Sequence, residues 1–240
     1  MWGFEEPGQL ERLLVVSPHL DDAVMSCGSL LLAHPEAIVV TLFAASPARY
    51  TDPLNEHDAE CGFRPGDDTM ALRRDEDVRA LESVGAAPRW LEFCQNSHEE
   101  RADPIAVPAG AVDALASVIA EVEPTCVVAP LGLSHPDHQA CHATALATRA
   151  TGAGPVPWLW YSDLPYVFIP RVLAARSRTL HKAGYVLTPA CPEVSLDFEA
   201  KWRACGEYPT QMPVMENWWP RLRERLQRAG EHYWTVDSSD

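Results

Sequence analysis

The chain has 240 residues, 47% of them hydrophobic, which suits one large α/β domain and excludes global disorder. Its formal net charge of −15, from 34 acidic and 19 basic residues, would repel a phosphate backbone and argues against nucleic acid as a partner. No run of about 18 apolar residues occurs, so no membrane span is expected.

In chain order, Leu13-Leu14-Val15-Val16 is an apolar run ending at Pro18, the pattern of a buried parallel strand. Residues 23–33 read as a helix with Asp21 or Asp22 near its N-cap, and 38–43 as a second strand rich in β-branched residues. Residues 44–69 form a long loop of the kind often used as a lid or binding segment. Helical spacing over 69–84 stops at Gly85. A third strand over 89–94, a helix over 111–122, a fourth strand over 125–129 and a helix over 138–149 follow.

This alternation predicts a mostly parallel sheet with helices on both faces, a Rossmann-like three-layer α/β/α fold. Beyond residue 150 the pattern weakens. Residues 155–170 are rich in proline and aromatics (Trp158, Trp160, Tyr161, Tyr166, Phe168), and helices are expected over 195–208 and 221–228. We expect one domain over 1–240, with 151–240 as a C-terminal extension facing the substrate.

Seven cysteines, an odd number without a CxxC pair, argue against a disulfide framework. Cys94, Cys126 and Cys141 fall in apolar or helical patterns, where free thiols pack as small hydrophobes. Residues Met1 to Gln9 lack the basic-then-apolar layout of a secretory leader, so a cytoplasmic location is expected.

The chemistry concentrates in two stretches, Ser17-Pro18-His19-Leu20-Asp21-Asp22 and Ser134-His135-Pro136-Asp137-His138. Each follows an apolar strand, and sites in open α/β sheets lie outside the carboxyl ends of strands. The first turn lacks Gly-x-Gly-x-x-Gly and the chain lacks a Gly-Lys-Ser/Thr loop, which argues against a nucleotide cofactor.

His19, Asp22 and His138 would give a divalent metal two nitrogens and one oxygen, with a position left for water. Asp21, adjacent to Asp22, would point elsewhere and act as general base; chemistry alone also permits the opposite order. His135, three residues before His138, would stabilise an oxyanion or protonate a leaving group, and Asp137 would orient a ring by accepting its N–H. His142, at i+4 from His138, competes as a ligand. His34, His57, His98, His181 and His232 have no partner pattern and read as surface or packing residues.

These motifs resemble those of the LmbE/PIG-L deacetylases. The family's Ala-His-Pro-Asp-Asp-Glu is similar to Pro18-His19-Leu20-Asp21-Asp22-Ala23, and its His-x-Asp-His to His135-Pro136-Asp137-His138. A middle pattern is matched by Arg73, Glu76, Ala80, Leu81 and Gly85, and a late one by Lys201, Ala204, Tyr208 and Gln211, so the resemblance covers roughly residues 11 to 211.

The resemblance implies a zinc hydrolase (iron(II) would suit the same ligands) that removes an acetyl group from the nitrogen of an amino sugar in a small molecule. By position it makes His19, Asp22 and His138 the zinc ligands, Asp21 the base, His135 with Asp137 the oxyanion or acid group, and Arg73 a substrate contact. For Arg73 the residue pattern alone also allows an ion pair with Asp77 on the same helix.

Leu20 and Ala23 depart from the family's proline and glutamate at positions that are not ligands. Leu133 stands where some members carry an oxyanion tyrosine, leaving Tyr161 or Tyr166 to supply one. The aromatic segment 158–168 is a candidate sugar platform. An amidase for a larger acyl group and a non-catalytic, metal-stabilised binding module are the alternatives. Oligomeric state is left open, a homo-oligomer included.

Overall fold

The structure is a computed structural model that describes residues 10–152 and 156–238. Residues Met1 to Gln9, read above for a secretory leader, and Pro155, at the start of the aromatic segment, lie outside the described residues. The elements run β1 (Leu13–Ser17), α1 (Asp22–Ala33), β2 (Ile38–Thr41), α2 (Glu56–Glu60), α3 (Thr69–Ser83), β3 (Ala87–Trp90), α4 (Ala111–Val122), β4 (Cys126–Pro130) and α5 (Pro136–Ala150). They continue with β5 (Trp158–Tyr161), a turn of 3-10 helix (Tyr166–Phe168), α6 (Val172–Lys182), β6 (Tyr185–Ala190), α7 (Phe198–Cys205), α8 (Met212–Trp218), α9 (Leu222–Ala229) and β7 (Tyr233–Ser238).

Among the described residues one sheet of seven strands forms, in the order β3-β2-β1-β4-β5-β7-β6. The first five are parallel, and β7 runs antiparallel to both β5 and β6. Side chains alternate across each strand. Leu13 and Val15 of β1, Val128 of β4 and Leu159 of β5 enter a core shared with α1, α3, α7, α8 and α9. Leu14 and Val16, Val127 and Trp158 enter the core on the other face, under α4, α5 and α6. Burial on both faces explains why the central strands read as unbroken apolar runs.

Four expectations change. The third strand is Ala87–Trp90 rather than 89–94; Pro88 is tolerated because β3 lies at the sheet edge. The long loop 44–69 contains the short α2, capped by Asn55, whose side chain accepts the Asp58 N–H. The segment 195–208 is helical only over Phe198–Cys205, where Asp197 caps Ala200. The segment after 150 carries three further strands of the same sheet and the helix α6, which the sequence pattern did not reveal. Among the described residues, no helix is long and apolar enough to cross a membrane.

Candidate active site

β1 and β4 are hydrogen-bonded neighbours, with Leu13 opposite Cys126 and Val15 opposite Val128. Their carboxyl ends therefore bring the two His/Asp stretches together. After β1 the Ser17 hydroxyl donates to the His19 carbonyl (2.6 Å) and accepts the Ala23 N–H (3.1 Å), which tightens the turn into α1. Asp22 opens α1, where the helix N-terminus favours a carboxylate, and its Oδ2 accepts the His19 N–H at 2.9 Å.

After β4 the chain turns through Gly132 (φ 75°) and Ser134 (φ 61°). A Cβ on Gly132 would stand 2.9 Å from His142 Cβ and 3.0 Å from the His138 carbonyl oxygen, so this turn admits only glycine without a shift of α5.

The cluster is tight. Asp22 Oδ2 lies 3.1 Å from His19 Nδ1 and 3.1 Å from His138 Nε2. His19 Nε2 lies 3.1 Å from Asp137 Oδ2. One nitrogen each from His19, His135 and His138 falls within 4.8 Å of the others, a grouping that could hold a metal ion.

The second nitrogen of each ring decides what the first can do. His138 Nδ1 is 2.7 Å from Asp163 Oδ1, a carboxylate that only a ring N–H can satisfy, so when the ring is neutral its lone pair is on Nε2. That Nε2 is buried, without a hydrogen-bond partner, and faces the cluster. His135 caps α5 and its Nδ1 accepts the Asp137 N–H at 3.2 Å. The neutral His135 ring therefore carries its proton on Nε2 and offers a donor rather than a ligand. Of the three rings, His138 is the best prepared to bind a metal and His135 the least.

Charge supports a cation at this place. Burial alone would lower the His138 imidazole, yet the Asp22 and Asp163 carboxylates raise it to about 10. Burial lowers His135, and the neighbouring His19 and His138 charges lower it further, to about 3. Asp22 and Asp137 resist the upward push of burial and are held well below the usual carboxylate range, Asp22 by His138 and His19, Asp137 by His19, the Asn96 N–H and Arg101. The donor set of imidazole and carboxylate, the excess negative charge and the unpartnered His138 Nε2 fit a divalent metal.

Asp21 points away from Asp22: its Oδ1 is 3.5 Å from an Arg73 amino group, while Arg73 Nη1 donates to Gln95 Oε1 at 3.3 Å. Arg73 is not paired with Asp77, which accepts instead from Trp90 Nε1 and Tyr208 Oη. The late motif holds the first one in place. The Tyr208 hydroxyl also lies 2.9 Å from the Leu20 carbonyl, its one proton shared between that oxygen and Asp77, and Glu76 accepts from the Thr210 N–H and hydroxyl. Lys201 forms a buried ion pair with Glu231, which accepts the N–H groups of Ser29 and Leu30.

A cavity of about 180 Å³ joins these groups, lined by His19, Asp21, Asp22, His135 and Asp137, with Arg73, Gln95, His57, Tyr166, Met215 and Trp218 around them. Several expectations are corrected here. The Asp137 carboxylate meets His19 and Arg101, and only its backbone N–H meets His135. Tyr161 is buried in β5 and donates to the Val16 carbonyl, so of the two candidate tyrosines Tyr166 alone reaches the cavity. Trp158 and Trp160 are core residues, which removes them as a sugar platform. His142 donates its Nδ1–H to the Pro130 carbonyl (2.9 Å) and lies tilted against the Trp160 ring, away from the cavity lining. His57, read as a surface or packing residue, lines the cavity, whereas His98 is buried against Asp58.

Asp163 and Arg101 escaped the sequence reading. Asp163 directly follows β5, the same strand-end position as both motifs, and would have stood out had β5 been recognised.

Residues 14–149, more than half of the chain, match the family model described as PIG-L: GlcNAc-PI de-N-acetylase. The 2'-N-acetylparomamine deacetylase of Streptomyces fradiae is 30% identical over 214 residues, 83% of this chain and 73% of that protein. Among solved structures, a triple mutant of the deacetylase of the teicoplanin biosynthetic pathway is 29% identical with a TM-score of 0.78, covering 95% of this chain and 99% of that one. The zinc-inhibited form of teicoplanin deacetylase is 26% identical with a TM-score of 0.79 over the same shares. A mostly parallel sheet, the His/Asp cluster at the ends of β1 and β4, and these matches together show that the chain belongs to the PIG-L (LmbE-like) deacetylase family.

Proposed function

We propose that the protein is a metal-dependent N-deacetylase that releases acetate from an N-acetylated amino sugar carried by a small molecule. One observation carries this reading. A buried donor set suited to a divalent metal opens, through His19 and Asp22, onto the same cavity as Asp21, an adjacent carboxylate that is not part of that set.

His19, Asp22 and His138 would hold the ion. His135 is set aside as a ligand because its Nδ1 is engaged by the Asp137 N–H. Zinc suits two nitrogens and one oxygen; iron(II) has the same tastes. Such an ion lowers the pKa of a water toward about 7 and polarises the acyl oxygen.

The chain's own groups do the rest. Asp21 takes the proton of the attacking water and returns it to the departing amine. His135 donates its Nε2–H to the oxygen that gains charge at the tetrahedral stage. With its imidazole lowered to about 3, His135 is neutral near pH 7, so it acts as a hydrogen-bond donor and not as the acid. Tyr166, its ring 6.0 Å from that of His135, takes the part of the tyrosine that Leu133 replaces. Arg73 and Gln95 bind polar groups of the sugar, and Asp137 steadies His19.

The cavity favours acetyl over a long acyl chain, being below the ~300–1,000 Å³ of sites that enclose drug-sized ligands. The names of the relatives, which specify N-acetylparomamine and teicoplanin, support a glycosidic, non-lipid substrate. The C-terminal part, from residue 151, faces that substrate through Tyr166, Met215 and Trp218 within a single domain. A cytoplasmic setting is supported by free cysteines alone.

The test is metal analysis followed by incubation with a panel of N-acetylated amino sugars, scored by acetate. Asp21→Asn is expected to keep its metal and lose ~10²–10⁴-fold in turnover. Undiminished acetate release by that variant at equal metal content would remove Asp21 as base.

A further inference from the structure

The short helix α2 carries two metal-binding side chains on one face. His57 and Cys61 are four residues apart, and Cys61 continues the helix with φ −70° and ψ −3°, so the two stand one turn apart. Cys61 Sγ lies 3.6 Å from His57 Nε2. A third donor atom meets the same nitrogen: Gln211 Oε1 is 3.1 Å away. The orientation of that amide is fixed. Glu76 takes the proton of the Thr210 hydroxyl, and Thr210 Oγ1 in turn accepts the Gln211 Nε2–H at 2.8 Å, which turns Oε1 toward His57. Gln211 is buried, whereas His57 and Cys61 are half-buried and open to a solute.

These separations are close to those inside the shell of a soft divalent cation. With zinc–nitrogen, zinc–sulfur and zinc–oxygen bonds of about 2.0–2.1, 2.3 and 2.0–2.2 Å, a tetrahedral angle sets nitrogen about 3.5 Å from sulfur and about 3.3 Å from oxygen. The surrounding charge also suits a cation. Burial pushes the Cys61 thiol up to about 12; the Arg73 charge opposes that shift, and the Asp21 and Asp58 carboxylates add to it. Burial, and then Arg73, lowers the His57 imidazole, which leaves the ring neutral near pH 7 with no second proton to displace. His57 lines the same cavity as Asp21 and Arg73, so an ion has a route to it.

We propose that His57 Nε2, Cys61 Sγ and Gln211 Oε1 form a second cation site, separate from the His/Asp cluster, that takes a soft divalent ion such as zinc and slows turnover when filled. Binding forms a sulfur–metal bond and releases the Cys61 thiol proton to water. The His57 ring stays neutral, its one proton passing through solvent to Nδ1 so that Nε2 can ligate. The net loss of one proton makes the affinity rise with pH through the neutral range. Three protein donors leave a position for water, which makes the site an open, exchangeable one and not a structural one. A hydrated ion on His57 brings charge and bulk to the wall that His57 shares with Asp21 and Arg73, and this is why filling it opposes turnover. The inhibitory role rests on the deacetylase reading; the site itself does not.

The experiment adds cobalt(II) to the zinc-loaded protein and follows the near-ultraviolet charge-transfer band of a cobalt–thiolate bond. The His/Asp cluster has no sulfur donor, so the band reports the second site alone. Wild type is expected to develop the band, and so is Cys191→Ser, which removes the exposed thiol. Cys61→Ser is expected to lack it, and His57→Ala to need at least about tenfold more cobalt. No band in wild type, or an undiminished band in either Cys61→Ser or His57→Ala, overturns the site. A second arm adds excess zinc during acetate release from N-acetylated amino sugars. Cys61→Ser is expected to turn over like wild type at stoichiometric zinc and to need at least about tenfold more excess zinc for half-inhibition. Equal sensitivity of the two proteins overturns the inhibitory role. If wild type releases acetate from none of the sugars, the deacetylase reading falls instead, and the cobalt–thiolate band still decides the site.

Discussion

The part of the molecule through α5 and the part from β5 onward build the same cavity with different materials. The first supplies ionisable groups at the ends of β1 and β4: His19, Asp21, Asp22, His135, Asp137 and His138. The second supplies Tyr166, Met215 and Trp218, plus one buried carboxylate, Asp163. The first set is constrained by reaction chemistry, which tolerates few residue types. On the proposed reading the second would meet what hangs from the amide, together with Arg73 and Gln95 of the first part. The comparison teaches that the ionisable groups gather at the centre of a parallel sheet, whereas the apolar wall of the same cavity comes from the segments laid across its end.

Replacing His138 gives the sharpest test of this division. His138→Ala deletes the ring with the free Nε2 and strands the buried Asp163 carboxylate, an uncompensated charge that typically costs about 3–5 kcal/mol. We expect no stoichiometric metal and no measurable acetate release, checked by elemental analysis and a parallel melting curve. Normal metal content in a folded His138→Ala protein would contradict the ligand assignment.

Asp163→Asn asks whether the second part is confined to recognition. Asn can accept but cannot balance the His138 N–H charge, and loss of such an orienting partner costs about 10–100-fold in metal affinity or activity. Competition against a chelator of known affinity reads it out. Unchanged affinity would leave the catalytic machinery wholly within the first part.

A separate effect concerns stability and not turnover. Asp77 is buried, and desolvation lifts its carboxyl to about 7 even though Trp90 and Tyr208 donate to it. The native state therefore keeps a proton that the unfolded chain releases near pH 3.8. This contribution to stability is complete below about pH 4 and is lost as pH rises through about 7, a difference of order 4 kcal/mol at 1.36 kcal/mol per unit. Urea unfolding at pH 5 and pH 7.5 is expected to show a drop in wild type that Asp77→Asn largely lacks. Equal drops in the two proteins would show that Asp77 does not titrate in this window.

The sequence was most legible where chemistry and burial coincide. Apolar runs such as Leu13–Val16 and Cys126–Ala129 announce strands buried on both faces, and His/Asp stretches after them announce a site at their ends. The roles of individual rings were less legible. A spacing such as His135-Pro136-Asp137-His138 says that two imidazoles can share a space. It does not say that His135 spends a nitrogen on its own helix cap or that His138 spends one on a carboxylate 25 residues away.

The sequence by itself thus determined the parallel α/β core, the two clusters and the kind of reaction they suit, because periodicity and donor chemistry are local properties of a chain. Tertiary structure decided that β5, β7 and β6 complete the sheet, that Asp163 meets the His138 ring, that Tyr166 rather than Tyr161 reaches the cavity, and that Trp218 rather than Trp158 or Trp160 lines it. Each of these depends on strand pairing or on which face of a packed element a side chain occupies relative to partners distant in sequence, and no local pattern encodes that.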